Sequence, residues 1–299
     1  MDFHSVLNRH KSDVALIIGN GINKFGQAED SNSWNSLLLL LAKKYLRNMK
    51  RSIPEGIALT EFYDLLELKS GKRSTRISLQ KEFCELMQDW TPGNHHKNIV
   101  SWAQEADCPI LTTNFENVLG EASECELLHT SREGFTDYYP WESYYGNKLL
   151  SYPKDGFGIW HINGMQHYSR SIRLGLSHYM GSVHRARNWM HRGGSERLFS
   201  GNENHEWLGV KTWLDLIFHK PLLIFGLQLD ANEVFLRWLL VERARYFQKY
   251  SRRKKPAWYV YTDENESSGK FLFLEGVGVE CIHASGYEEI YGAATWSRN

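Results

Sequence analysis

One junction recurs along this chain and constrains its fold more than any other feature. A short, largely apolar run stops at once on a polar or glycine-bearing turn. Val14 to Ile18 runs into Gly19-Asn20-Gly21-Ile22-Asn23, and Pro109 to Thr113 runs into Asn114-Phe115-Glu116-Asn117. Phe157 to Ile162 leads to Asn163-Gly164, and Leu222 to Phe225 leads to Gly226-Leu227-Gln228-Leu229-Asp230. An apolar run with no polar face reads as a strand covered on both sides, the habit of a parallel sheet. Further short strands are predicted at 125–129, Trp258–Tyr261 and Val279–His283. Leu37, Leu38, Leu41 and Tyr45 recur at helical spacing, so a helix is predicted from Trp34 to about Met49. Other helices are expected at about 58–69, 78–90, 94–105, 177–191, 204–219 and 231–250. Residues 131–156 read as irregular, and Gly193, Gly194 and Gly201 mark a mobile linker.

Strand, turn and helix in alternation give the α/β class with a mostly parallel sheet. No strand is evident over 33–105, so a helical subdomain is inserted there. The expected organisation is one domain over 1–299, its core built from 12–32 and 106–299. In such sheets ligands sit outside the carboxyl ends of the strands. The four polar clusters all fall at such ends and point to one crevice.

Composition narrows the function. Lys plus Arg is 35 and Asp plus Glu is 35, which argues against a body-wide electrostatic nucleic-acid binder. No window reaches the ~18 apolar residues of a membrane span, and the N-terminus lacks a signal-peptide pattern, so a cytoplasmic protein is expected. The four cysteines stand singly, which disfavours a zinc ribbon or a disulfide framework. Eleven tryptophans fit either a dense core or a subunit interface.

Each cluster has a plain reading beside a chemical one. Gly19 and Gly21 make a tight strand-to-helix turn, or let backbone approach a phosphate. Asn23 is a polar contact or a helix cap. Thr112, Thr113 and Asn114 cap the next helix, or place three hydrogen-bonding groups at a strand end. His161 is a satisfied core residue or a proton carrier. Asp230 caps a helix or accepts from a ribose hydroxyl. His178, His184 and His191 recur among arginines as a solvated helix face, a phosphate-contacting lid or, least favoured, a metal site. The basic run from Arg243 to Lys255 is a solvated helix end or a contact for a partner or nucleic acid.

Taken together and in order, Ile17 to Asn23, Leu111 to Phe115, Trp160 to Gly164, and Leu223 to Gly226 with Asp230 resemble the sirtuin-like family. The similarity is to its divergent branch found in bacterial antiviral systems, and it spans residues 14 to about 245. The resemblance implies NAD bound as substrate across a Rossmann-like sheet, with no metal. Gly19 and Gly21 would approach the pyrophosphate, with Asn23 and Thr113 nearby. Asn114 would hold the nicotinamide ribose or the attacking water, and His161 would be the general base. Gly226 and Asp230 would face the adenosine side. Glu116 stands where the family usually has Asp, Gln228 where it often has Ser or Thr, and Asn23 where it usually has Ser. Sirtuin deacylases carry a zinc module with two Cys pairs, and this chain has none, which disfavours protein deacylation. The expected activity is cleavage of NAD to nicotinamide and ADP-ribose by a regulated antiphage effector. The alternative is a catalytically silent module that binds NAD or ADP-ribose. Such a catalytic fold fills the chain, so control is expected from a homo-oligomer or a sensor subunit.

Overall fold

The strand β1, Ala15–Ile18, is fully buried along its length. It has that environment because it lies in the middle of an eight-stranded sheet. The computed structural model describes residues 2–27, 32–46, 52–70, 78–131, 139–201, 206–230, 233–263 and 268–297. Its other strands are β2 (Ile110–Thr112), β3 (Glu126–His129), β4 (Ser143–Gly146), β5 (Ile159–His161), β6 (Leu222–Phe225), β7 (Ala257–Tyr261) and β8 (Glu280–His283). The order across the sheet is β3-β4-β5-β2-β1-β6-β7-β8. All neighbours are parallel except β3–β4 and β4–β5. The chain leaves β1 toward β2 and β5, then returns to its other side with β6. The sheet therefore reverses direction at β1, the position where a crevice opens in such folds.

The helices are α1 (Phe3–His10), α2 (Gly21–Lys24), α3 (Trp34–Tyr45), α4 (Leu59–Ser70), α5 (Leu79–Glu85), α6 (Asn94–Glu105) and α7 (Val118–Ser123). They continue with α8 (Leu176–His191), α9 (Leu214–His219), α10 (Val234–Lys249), α11 (Ser268–Gly276), α12 (Tyr287–Tyr291) and α13 (Ala293–Trp296). Strand side chains alternate between faces. Ala15 and Ile17 join Leu111, Trp160, Leu222 and Ile224 in the core under α8, α9 and α10. Leu16 and Ile18 join Ile110, Leu223 and Phe225 on the opposite face, under α1, α6 and α13. Burying one such Leu or Ile stabilises by about 1.5–3 kcal/mol.

A third core belongs to α3, α4 and α5, with Phe115, Ile172 and Leu174 from the sheet side. This is the inserted helical subdomain, and no strand occurs among its described residues. Trp34 stacks on Phe115 with centroids 4.7 Å apart and planes 17° apart, tying the subdomain to the turn after β2. The last helix of the 33–105 stretch, α6, packs instead on the sheet face beside α1.

Several local expectations change. The stretch 131–156, read as irregular, contains β4. Tyr144 of β4 stacks on Trp160 at 4.5 Å, and its hydroxyl accepts from Leu150 N at 2.7 Å. The helix expected over 204–219 is confined to α9, since 206–213 forms turns and 202–205 lies outside the described residues. The glycine-bearing stretch 193–201 is anchored. Leu198 and Phe199 are buried, and the Phe199 carbonyl accepts from Tyr250 Oη at 2.9 Å. Seven of the eleven tryptophans are buried and the other four half-buried, so this excess serves the core. Arg243, read with a solvated basic run, is buried and donates to the carbonyls of Ile217, Lys220, Lys255 and Pro256.

Candidate functional site

Gly19 and Gly21 follow β1, and Gly226 follows β6. The two turns interlock: Gly19 N donates to Phe225 O at 3.0 Å and Gly21 N to Gly226 O at 2.6 Å. A Cβ on Gly19 would lie 2.4 Å from Leu227 Cβ, and one on Gly21 would lie 2.9 Å from Gly226 Cα. Gly226 has φ +73°, a left-handed conformation open to glycine. The hydroxyl of buried Tyr291 covers both turns and has no hydrogen-bond partner among the described residues.

Register places Ile18, Thr112, His161 and Phe225 in one row across β1, β2, β5 and β6. Thr112 Oγ1 donates to Ile18 O at 3.0 Å and accepts from Asn114 N at 3.1 Å, so the side chain shapes the turn that presents Asn114. The Asn114 amide nitrogen reaches the Gly19 carbonyl at 3.5 Å, while its buried Oδ1 has no partner among the described residues. His161 Nδ1 lies 3.0 Å from the Asn114 carbonyl oxygen. A carbonyl only accepts, so Nδ1 carries the proton and Nε2 presents a lone pair. Nε2 is buried and has no partner among the described residues. Burial pulls the imidazole's pKa down to about 4, which keeps that lone pair available at neutral pH. Tyr145 of β4 packs edge-on against the ring at 5.9 Å.

Glu116 is also buried, with Oε1 accepting from Asn23 Nδ2 at 2.8 Å and Oε2 without a partner among the described residues. Desolvation pushes its pKa up to about 7, opposed first by the Asn23 hydrogen bond. Asn23 in turn contacts His96 Nε2 through Oδ1 at 3.0 Å.

A cavity of about 690 Å³ lies beside these groups, within the range of small-molecule and cofactor sites. Gly21, Thr113, Gly226 and Asp230 line it. Gly19, Asn23, Asn114, Glu116 and His161 are buried and are not among its lining residues; His161 is tied to the lining turn after β2 through the Asn114 carbonyl. Lys24 and Arg173 supply positive charge on the cavity wall, while Asp230 lies at the α10 end beside Glu233, whose carboxyl pKa burial pushes up to about 7. Aromatic rings of Trp34, Phe83, Tyr259 and Tyr291 furnish much of the rest. Tyr259 Oη donates to Leu227 O at 2.9 Å, fixing the turn after β6.

Sequence reasoning named neither His96, Tyr145, Arg173 nor Tyr291. The three histidines of α8 go to separate partners. His178 Nδ1 accepts from Gly175 N at 3.3 Å, His184 pairs with Asn188 at 2.9 Å, and His191 with Glu242 at 2.7 Å. No family model matches the chain, and no curated protein matches it either. Among the described residues no helix is long and apolar enough to cross a membrane.

The buried imidazole makes stability depend on pH. An unfolded histidine titrates near 6.5, whereas His161 in the fold titrates at about 4. Between those values the unfolded chain takes up a proton that the folded chain refuses, so acid destabilises. Glu116 acts with the opposite sign: from its ordinary 4.5 up to about 7 it favours the fold at the acid end. His161→Gln therefore removes a loss on the order of 1–2 kcal/mol between pH 6.5 and 5. Denaturant unfolding at the two pH values, wild type against variant, measures this; equal slopes would contradict it.

Proposed function

We propose that the chain cleaves the nicotinamide–ribose bond of NAD, releasing nicotinamide and ADP-ribose. The observation that carries this reading is the pair of unpartnered buried acceptors, His161 Nε2 and Asn114 Oδ1, on adjacent strand ends beside the cavity. Resemblance of the four strand-end motifs to the sirtuin-like family supports NAD as the substrate. The C1′–N bond breaks with its electron pair leaving on nicotinamide, which departs neutral and needs no strong acid. The transition state is oxocarbenium-like, as in glycoside hydrolysis. Asn114 Oδ1 orients the water or a ribose hydroxyl, water oxygen bonds to C1′, and His161 Nε2 takes the water proton. The Glu116 carboxylate stabilises the developing positive charge. Lys24 and Arg173 are the cations available to the pyrophosphate, and Asp230 is the acceptor for the adenosine ribose. A role as an antiphage effector, held inactive until a partner or assembly triggers it, belongs to the same proposal.

Time-resolved release of nicotinamide from NAD, by the chain alone and with the products of neighbouring genes, tests the reading. The second reading is a module that holds NAD without turnover. It is favoured by the burial of Asn114 and His161, neither of which lines the cavity, since substrate must displace the groups that cover them to reach them. Saturable NAD binding with no nicotinamide released under any of these conditions selects it.

Glu116→Gln is expected to slow cleavage about tenfold, worth about 1.4 kcal/mol of barrier, while Glu116→Asp stays close to wild type. Equal rates for all three remove the carboxylate from the chemistry.

A further inference from the structure

The first turn of α6 is wired into the site by hydrogen bonds whose directions are forced. Gly93 N can only donate, and it meets His96 Nδ1 at 3.0 Å, so Nδ1 is the bare nitrogen. The proton of the neutral ring then sits on Nε2, which donates to Asn23 Oδ1 at 3.0 Å. That assigns the Asn23 amide. Its Nδ2 donates at 2.8 Å to Glu116 Oε1 and at 2.8 Å to Asn20 Oδ1. His96, Asn23 and Glu116 are all buried, so no bulk water competes for these bonds. Burial also holds His96 neutral, its pKa pulled down to about 3. The neighbouring ring of His95, 4.1 Å away, presents Nε2 to the Ile22 carbonyl at 2.8 Å and braces the same turn.

We propose that His96 is a positioning residue: acting through Asn23, it binds one oxygen of Glu116 and leaves the other, Oε2, as the oxygen free for substrate. A flipped Asn23 amide would turn an acceptor toward Glu116 Oε1 and remove the donor. Its proton, when present, then belongs on Oε2, where it serves as a donor to a neutral acceptor such as a carboxamide oxygen. A mere helix cap would need only the Gly93 bond; the bond from Nε2 crosses to a different element and ends on Asn23 Oδ1, whose amide nitrogen reaches the carboxyl. The inference rests on the NAD reading only for the identity of the ligand.

Two measurements test it without turnover. In wild type, nitrogen-15 NMR of the histidine rings should show His96 protonated on Nε2 and bare on Nδ1; the reverse tautomer overturns the proposal. Infrared titration then follows the Glu116 carboxyl, identified as the band absent from Glu116→Gln. His96→Leu should raise its midpoint by about 0.5–1 unit, a three- to tenfold gain in proton affinity. His96→Gln, which keeps a donor near the Nε2 position, should restore the wild-type midpoint. A folded His96→Leu with an unchanged midpoint overturns the proposal, and the wild-type tautomer decides it if that variant does not fold. The kcat/KM–pH profile for NAD should shift with the midpoint in His96→Leu. If no nicotinamide is released at all, the NAD reading fails while tautomer and titration still judge the relay.

Discussion

His161→Gln is expected to lower nicotinamide release by about 100-fold or more, the scale of a lost acid–base group. Asn114→Ala should act similarly, because it removes the other unpartnered acceptor at the ends of β2 and β5. Gln is chosen at 161 because the ring is fully buried and a small replacement would leave a void behind Tyr145. A glutamine amide can still donate to the Asn114 carbonyl, but it offers no basic nitrogen. Circular dichroism and nicotinamide release on one preparation separate loss of chemistry from loss of fold. Wild-type turnover by folded His161→Gln would remove the imidazole from the mechanism.

The second large effect falls on stability. Gly164, three residues beyond the end of β5, has φ +97°, and a Cβ there would sit 2.2 Å from the Ser171 carbonyl oxygen. Neither conflict is relieved by moving a side chain, since the obstacle is backbone. The turn is also pinned on both sides. Met165 N donates to Ser171 Oγ at 2.9 Å and Arg173 N to Asn163 O at 2.8 Å. Gly164→Ala should lose about 3 kcal/mol or more, combining left-handed strain with overpacking. For a chain of this size that lowers the melting temperature by roughly 5–10 °C. Calorimetry of the purified variant measures it, and an unchanged melting temperature contradicts the account of this turn.

The parallel strands were legible because a strand buried on both faces has no polar side to disguise it, as in Val14 to Ile18. Their convergence was legible because a polar or glycine-bearing turn follows each of four such runs directly. Strand β4 was not: Ser143, Tyr144 and Tyr145 look like loop composition, and only stacking on Trp160 shows why tyrosines belong there. His96 carried no local sign beyond a place in the first turn of a helix. Its role depends on Asn23, brought beside it by the fold rather than by the sequence. Tyr291 was missed for the same reason, as it reaches the glycine turns from near the far end of the chain. Arg243 shows the opposite error. Its basic neighbours suggested solvent, whereas four backbone carbonyls hold it inside.

The central position of β1 has a consequence for synthesis on the ribosome. Ile18 pairs with Thr112 on one side and with Phe225 on the other, three-quarters of the way along the 299 residues. Domains acquire structure as they emerge, at about 5–20 residues per second. β1 therefore waits about 10–40 s for its second neighbour, and the glycine turns cannot interlock before that neighbour arrives. Pairings so distant in sequence make for slow folding and leave apolar edges open meanwhile. The same delay means that a nascent chain holds no finished pocket, since residues up to Tyr291 line it, so no ligand can be held there until translation of this segment is nearly done.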